Sequence, residues 1–237
     1  MATGTLYLIP VGLGPSDTAT TQPAGVGAIL NRLDCFIVER AKTARAEIKR
    51  LGHPAAIQSL TITELPERLD GRTLDELLAP AREGRDIGLM SEAGCPAVAD
   101  PGALVVRRAH ERGIRVAPMV GPSSLLLGLM ASGLNGQSFA FHGYLPVTAG
   151  ERTQRIKQLE RESAKLQRTQ LFIETPYRND AMFDALLQTC DPNTLLCVAR
   201  ALTTSDEWVS TRSISAWKKA PRPDLARQPT VFLLLAI

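Results

Sequence analysis

SEAGCPAVADPG, residues 91–102, directly follows the apolar run Ile87-Gly88-Leu89-Met90. Its twelve residues include Gly94, Gly102, Pro96 and Pro101, two acids, and otherwise small side chains. A surface turn needs one Gly or Pro, not four. This much backbone freedom with this little bulk, at the end of a strand, suits a small, polar, charged ligand that the backbone itself approaches. In open α/β sheets, ligands bind beyond the carboxyl ends of the strands. Ser91, the amides near Ala93 and Gly94, and the start of the helix after Pro101 suit a carboxylate. Glu92 or Asp100 suits an ammonium or an ordered water. The competing reading is a purely structural loop, in which Asp100 caps the helix near Leu104.

Outward from this loop the chain alternates strands with helices. TLYLIP (5–10), Cys35–Val38, Asp86–Met90 and Ile114–Ala117 read as strands. Ala24–Leu33, Lys42–Leu51, Leu74–Glu83 and Leu104–Arg112 read as helices. Such alternation means βαβ units and a mostly parallel sheet. PMVGPSS (118–124) is a compact linker, and Pro122 opens a helix running to Ser132. Beyond it the style changes. FAFHGYLP (139–146), 171–175, 195–200, 207–213 and 230–237 read as strands, with helices at 151–167 and 178–189. The last strands follow one another without long helices, so part of the second sheet is expected to be antiparallel. The expected fold class is α/β, with domains at 1–118 and 119–237.

Composition narrows the class. The 237 residues are 44% hydrophobic and 22% charged, with a net charge of +3, which permits an RNA partner without requiring one. No run approaches a membrane helix, and MATGTLYLIP lacks the pattern of a signal peptide. Cys35, Cys95, Cys190 and Cys197 form no CxxC pair. They read as reduced thiols of a cytoplasmic protein, with no metal site expected. His53, His110 and His142 are scattered and suggest neither a metal cluster nor a triad.

Other segments carry weaker signals. Gly12-Leu13-Gly14 after the first strand resembles the start of a dinucleotide fingerprint, but Asp17 stands where the third glycine belongs. A tight strand-to-helix turn explains it equally well. Glu39, Arg40 and Lys42 follow the second strand; a helix start with Glu39 near its N-terminus is the alternative. Arg178, in Glu174-Thr175-Pro176-Tyr177-Arg178, suits phosphate or a surface ion pair. The mixed charges of helix 151–167 usually mark a solvated face.

Together these segments resemble the tetrapyrrole methylase superfamily, and within it the branch of small-subunit ribosomal RNA ribose 2′-O-methyltransferases. The matching segments are Pro10-Val11-Gly12, Ser91-Glu92-Ala93-Gly94-Cys95-Pro96 with Asp100-Pro101-Gly102, and Val120-Gly121-Pro122-Ser123. Further on they are Gly143-Tyr144-Leu145-Pro146, Ile173–Arg178 and Ala199-Arg200-Ala201-Leu202-Thr203. The resemblance implies S-adenosylmethionine bound in a cleft between two α/β domains, in a homodimer. Pro10, Ser91, Glu92, Ala93, Gly94, Pro96, Val98, Ala99, Asp100 and Ser123 would serve the cofactor from the first half. Glu174, Thr175, Ala199, Arg200, Leu202, Pro229 and Thr230 would enclose its adenine. Gly12, Lys42 and Arg178 become candidate contacts to an RNA substrate, in ribosomal RNA or the ribosomal subunit. Glu39, then Asp100, become candidates for the general base.

This chain also departs from the branch pattern. Leu13 stands where Asn is usual, Glu39-Arg40-Ala41-Lys42 replaces Glu-Asp-Thr-Arg, and Ala201 replaces Glu. The expected His-and-Asn segment near residue 62 reads Leu60-Thr61-Ile62-Thr63-Glu64. The changes fall on the presumed substrate side. Three readings therefore stand beside ribose methylation: C-methylation of a tetrapyrrole-like molecule, a cofactor- or RNA-binding module without turnover, and a nicotinamide enzyme disfavoured by its incomplete fingerprint.

Overall fold

The computed structural model describes residues 3–237. They form two compact units, one ending at Ser123 and one running from Ser124 to Ile237. The first contains β1 (Thr5–Leu8), α1 (Thr18–Thr21), α2 (Ala24–Leu30), β2 (Cys35–Val38) and α3 (Ala41–Arg50). It continues with β3 (Thr61–Glu64), α4 (Gly71–Leu77), α5 (Ala79–Arg82), β4 (Ile87–Met90), α6 (Gly102–Glu111) and β5 (Arg115–Pro118). Its five strands are all parallel, in the order β3-β2-β4-β1-β5.

Parallel strands joined by helices are covered on both faces, so their sequences run continuously apolar. All four residues of β2 and all four of β4 are buried. Cys35 and Ile37 meet Leu74, Leu77, Val105 and Ala109 on one face. Phe36 and Val38 meet Val26, Leu30, Ala44 and Ile48 on the other. Gly88 is held to glycine by this packing: a Cβ there would stand 2.8 Å from the Phe36 ring.

Residues 119–123, read above as opening the second domain, pack within the first unit. Met119 donates its N–H to Leu8 O at 3.1 Å. Cys95 Sγ lies 3.5 Å from Pro122 O. A Cβ on Gly121 would stand 2.2 Å from that of Pro10.

The second unit contains α7 (Ser124–Ser132), β6 (Phe139–Tyr144), α8 (Ala149–Leu166), β7 (Thr169–Ile173) and α9 (Asn179–Thr189). It ends with β8 (Leu195–Arg200), β9 (Trp208–Ser213), α10 (Ile214–Trp217) and β10 (Thr230–Leu235). The sheet order is β6-β7-β10-β8-β9. Only β6 and β7 pair in parallel; the other three pairings are antiparallel, as the run of late strands predicts. Ile156 and Leu159 of α8 and Met182, Phe183 and Leu186 of α9 fill the core with Phe172, Val198 and Phe232. No helix of the described residues is long and apolar enough to cross a membrane.

Candidate functional site

In the first unit, the loops after β1, β2 and β4 leave the same sheet edge. The β1 and β4 loops are fastened by a reciprocal pair of backbone bonds: Val11 N–H to Gly94 O and Gly94 N–H to Val11 O, both 2.9 Å. The β2 loop joins them through Glu39. Its N–H donates to Met90 O at 3.1 Å, and its carboxylate accepts from Glu92 N–H at 3.0 Å. Pro10, Ser91, Gly94 and Pro96 are buried, Glu92, Asp100 and Ser123 half-buried, and Ala93, Val98 and Ala99 exposed. Gly94 sits at φ +76°, and Ala97 and Ala99 also adopt positive φ. Two non-glycine residues in that region within three positions mark a loop held under strain, a feature that collects at functional sites.

Asp100 organises the second half of this loop. One carboxylate oxygen accepts from Ala97 N–H at 3.1 Å and from Gly102 N–H, at the start of α6, at 2.7 Å. Asp100 thus holds the first N–H of α6 from one position before the helix cap, Pro101. The other oxygen, Oδ2, is buried and accepts nothing, as does Glu92 Oε1. Burial pushes the Asp100 carboxyl above its ordinary value; the amide bonds work the other way, and Glu39 adds to the rise. A carboxyl whose folded pKa is raised binds more protons folded than unfolded within that window. Its contribution to stability is therefore lost as pH rises from the ordinary carboxylate value through the raised one. Asp100→Asn keeps an acceptor for both amides and cannot ionise. Its stability should gain on the parent's across that window and then level off. Urea unfolding from pH 3.5 to pH 7, an interval set about the ordinary Asp value, checks this; a flat difference would show that the charge is not the cause.

Three side chains that position this edge carried no signal in the sequence. Gln22, buried, donates to Pro10 O at 2.8 Å. Glu47, buried on α3, chelates Arg50 through bonds of 2.6 and 2.7 Å. It also lies 3.4 Å from Gly12 N, while Arg50 reaches Ser16 O at 3.2 Å. The 12–16 turn is thereby tied to α3. An isolated Gln after a helix, or Glu and Arg within one, reads as solvated, so only tertiary geometry reveals them. Lys42 stands exposed in the first turn of α3.

In the second unit, Glu174, Arg200 and Thr230 come to one edge of the sheet. Thr230 is in register with Arg200 and Val231 with Ala199, and Ala201 N–H donates to Pro229 O at 2.8 Å. Thr230, Ala199 and Leu202 are buried, Thr175 and Arg200 half-buried, and Pro229 exposed. Arg200 donates to Asp224 O and lies 5.8 Å from the Trp208 ring. Asn179, missed in the sequence, is fully buried and donates to Gln228 O at 2.7 Å and Thr230 Oγ1 at 3.2 Å. Of the two readings of Arg178, the structure holds the ion pair: buried Glu174 engages its guanidinium at 2.6 Å.

A parallel sheet whose strand-end loops form a strained, small-residue turn with unpartnered buried carboxylate oxygens defines an α/β protein built to bind a small charged ligand. Residues 5–216 match the family Tetrapyrrole (Corrin/Porphyrin) Methylases, and the chain belongs to that family. A Ribosomal RNA small subunit methyltransferase I from Mesorhizobium japonicum is 32% identical over 89% of this chain and 68% of its own. The protein of the same name from Escherichia coli O157:H7 is 28% identical over 91% and 72%. Among solved structures, the methyltransferase CobJ superposes with a TM-score of 0.63 at 20% identity, covering 99% of this chain and 95% of its own. The cobalt precorrin-4 methyltransferase CbiF gives 0.61 at 14%, covering 98% and 94%. These two likenesses concern the fold.

The chain is an S-adenosylmethionine-dependent methyltransferase, and the first unit fits that cofactor. Its amino-acid end carries an ammonium and a carboxylate. Asp100 Oδ2 and Glu92 Oε1 are acceptors without donors, and the Gly94 turn presents backbone with little side chain in the way.

Proposed function

We propose that the methyl acceptor is a ribose 2′-hydroxyl of small-subunit ribosomal RNA. One observation carries this reading. Relatives aligned over about nine-tenths of the chain at 28–32% identity bear the name of a small-subunit ribosomal RNA methyltransferase, whereas the tetrapyrrole enzymes are similar at 14–20%. When bound, S-adenosylmethionine supplies an already activated methyl group. The protein's work is then alignment and exclusion of water, and alignment alone is worth roughly 7–11 kcal/mol. In this reading Ser91, Glu92, Ala93, Gly94 and Asp100 hold the amino-acid end, with Pro10, Pro96, Val98, Ala99 and Ser123 around it. Glu174, Thr175, Ala199, Arg200, Leu202, Pro229 and Thr230 are proposed adenosyl contacts on the strength of the motif matches. Glu39 is the proposed base, because a ribose hydroxyl is poorly acidic and needs one; Asp100 has its Oδ1 occupied by two amides and is assigned to the loop. Gly12 and Lys42 are assigned to the RNA.

The test offers labelled S-adenosylmethionine to small ribosomal subunits from a strain lacking this gene, and to its low-mass extract. Label in a 2′-O-methylnucleoside is the expected result. Label only in a small molecule would transfer the acceptor to a tetrapyrrole-like compound, and binding without transfer would make the chain a module without turnover. We also propose a cytoplasmic homodimer. The dimer's support is exposed apolar surface on α7, where Leu126 and Met130 are 54% and 78% accessible. A monomer in sedimentation at micromolar concentration would remove it.

A further inference from the structure

Two residues, Glu39 and Arg40, separate β2 from the start of α3. Lys42, Arg45 and Lys49 follow one another along it at intervals of three and four, which places them on one face. All three are exposed, and among the described residues none of their side chains has a hydrogen-bond or ion-pair partner. The acids nearby are committed elsewhere. Glu47, the helix's single acid, is buried and paired with Arg50. Glu64 accepts Ala41 N–H at 2.5 Å, and Glu39 accepts Glu92 N–H. Several arginines elsewhere are paired: Arg108 and Arg112 share Asp75, Arg72 pairs with Glu76, and Arg222, in the segment before β10, pairs with Asp180 and Asp184. What sets the α3 cations apart is their place beside the Glu39 loop.

We infer that Lys42, Arg45 and Lys49 form a track for the RNA phosphate backbone, running about 10 Å along α3 away from the strand-end loops. The inference rests on the RNA reading above and extends its single contact, Lys42, to a surface. Three unpaired cations in a row on a convex helix suit a long polyanion rather than a compact ligand, because each neutralised phosphate releases its own counterions.

The experiment compares the parent with Lys42→Ala/Arg45→Ala/Lys49→Ala. A control, Lys157→Ala/Arg161→Ala/Lys165→Ala, removes the same charge from exposed positions of α8. Affinity for small-subunit RNA is measured over a salt series, and S-adenosylmethionine affinity by calorimetry. The α3 variant should lose about two to three units of salt slope and on the order of tenfold or more in affinity near 0.1 M salt. Cofactor affinity should hold, and the α8 control should lose clearly less. Equal losses in the two variants would mean general charge rather than a track, and would overturn it. So would a variant with parental slope and affinity while the parent methylates RNA, which leaves the acceptor reading standing. A parent that neither binds nor methylates RNA defeats the acceptor reading itself, and the track with it. Loss of binding to phosphatidylserine vesicles with RNA binding intact would assign the face to a membrane and overturn the inference.

Discussion

Gly94→Val should weaken S-adenosylmethionine binding by at least about a hundredfold, equivalent to roughly 2.7 kcal/mol, while the protein still folds. Gly94 sits at φ +76°, where a β-branched residue is a genuine outlier that costs on the order of 1–3 kcal/mol. The protein itself leaves room for the side chain's first atom. A Cβ would lie 3.5 Å from Leu13 Cδ2 and 3.6 Å from Pro122 O, which is ordinary contact. The damage therefore falls on the turn and on whatever the turn must approach. If the backbone rotates to relieve the valine, it breaks the reciprocal bonds between Val11 and Gly94 and separates the β1 and β4 loops. If it does not, the branched side chain stands where the ligand's polar end is assigned. A control separates strain from site. Gly113 has φ +67° with nothing within 4 Å of its would-be Cβ, and it lies beyond the far end of α6. Gly113→Val should lose comparable stability and bind the cofactor as the parent does. Calorimetry on the three proteins decides, and parental affinity in Gly94→Val would make the loop purely structural.

That loop was legible because its chemistry is written in residue types. Four Gly and Pro residues after a fully apolar strand have few other uses. The parallel sheet was legible for a related reason: strands covered on both faces have no polar positions to blur them. What stayed hidden was structure that depends on distant partners. Thr61-Ile62-Thr63-Glu64 gives no strand signal in the sequence. With one apolar residue, it shows no burial pattern, because β3 is an edge strand with mostly exposed residues. The helix expected over 74–83 is two, α4 and α5, meeting at Leu78 with Pro80 in the first turn of the second. Proline has no N–H to give, so a new helix starts there at no cost. Gln22, Glu47 and Asn179 work through bonds to chain segments 12, 35 and 49–51 residues away, and local pattern has no access to such pairings.

The same limit governs Arg178, whose role the sequence left open between phosphate contact and ion pair. Arg178→Ala should destabilise the protein by about 3 kcal/mol, because removing one partner of a buried ion pair strands the other. The Glu174 side chain is wholly inaccessible, and Arg178 is 32% accessible. The guanidinium donates from Nε at 3.1 Å and Nη2 at 2.6 Å, both to Glu174 Oε1, which also takes Thr175 N–H at 2.6 Å. Glu174 Oε2 is buried with no partner, so the carboxylate has little to fall back on once the arginine is gone. At this chain length the loss corresponds to a melting shift of about 6–12 °C. Arg178→Lys should fall between, since an ammonium restores the charge but not the two-pronged fork. The decisive variant is the double one. Adding Glu174→Gln to Arg178→Ala removes the stranded charge, and stability should partly return, because a neutral amide is far cheaper to bury than a carboxylate. Thermal and urea unfolding of the parent, the two Arg178 variants, Glu174→Gln alone and the double variant measures this cycle. Were Arg178 chiefly a phosphate ligand, Arg178→Ala would instead leave stability alone and flatten the salt dependence of RNA binding, as Lys42→Ala is expected to do. The two roles therefore predict opposite pairs of results for one substitution.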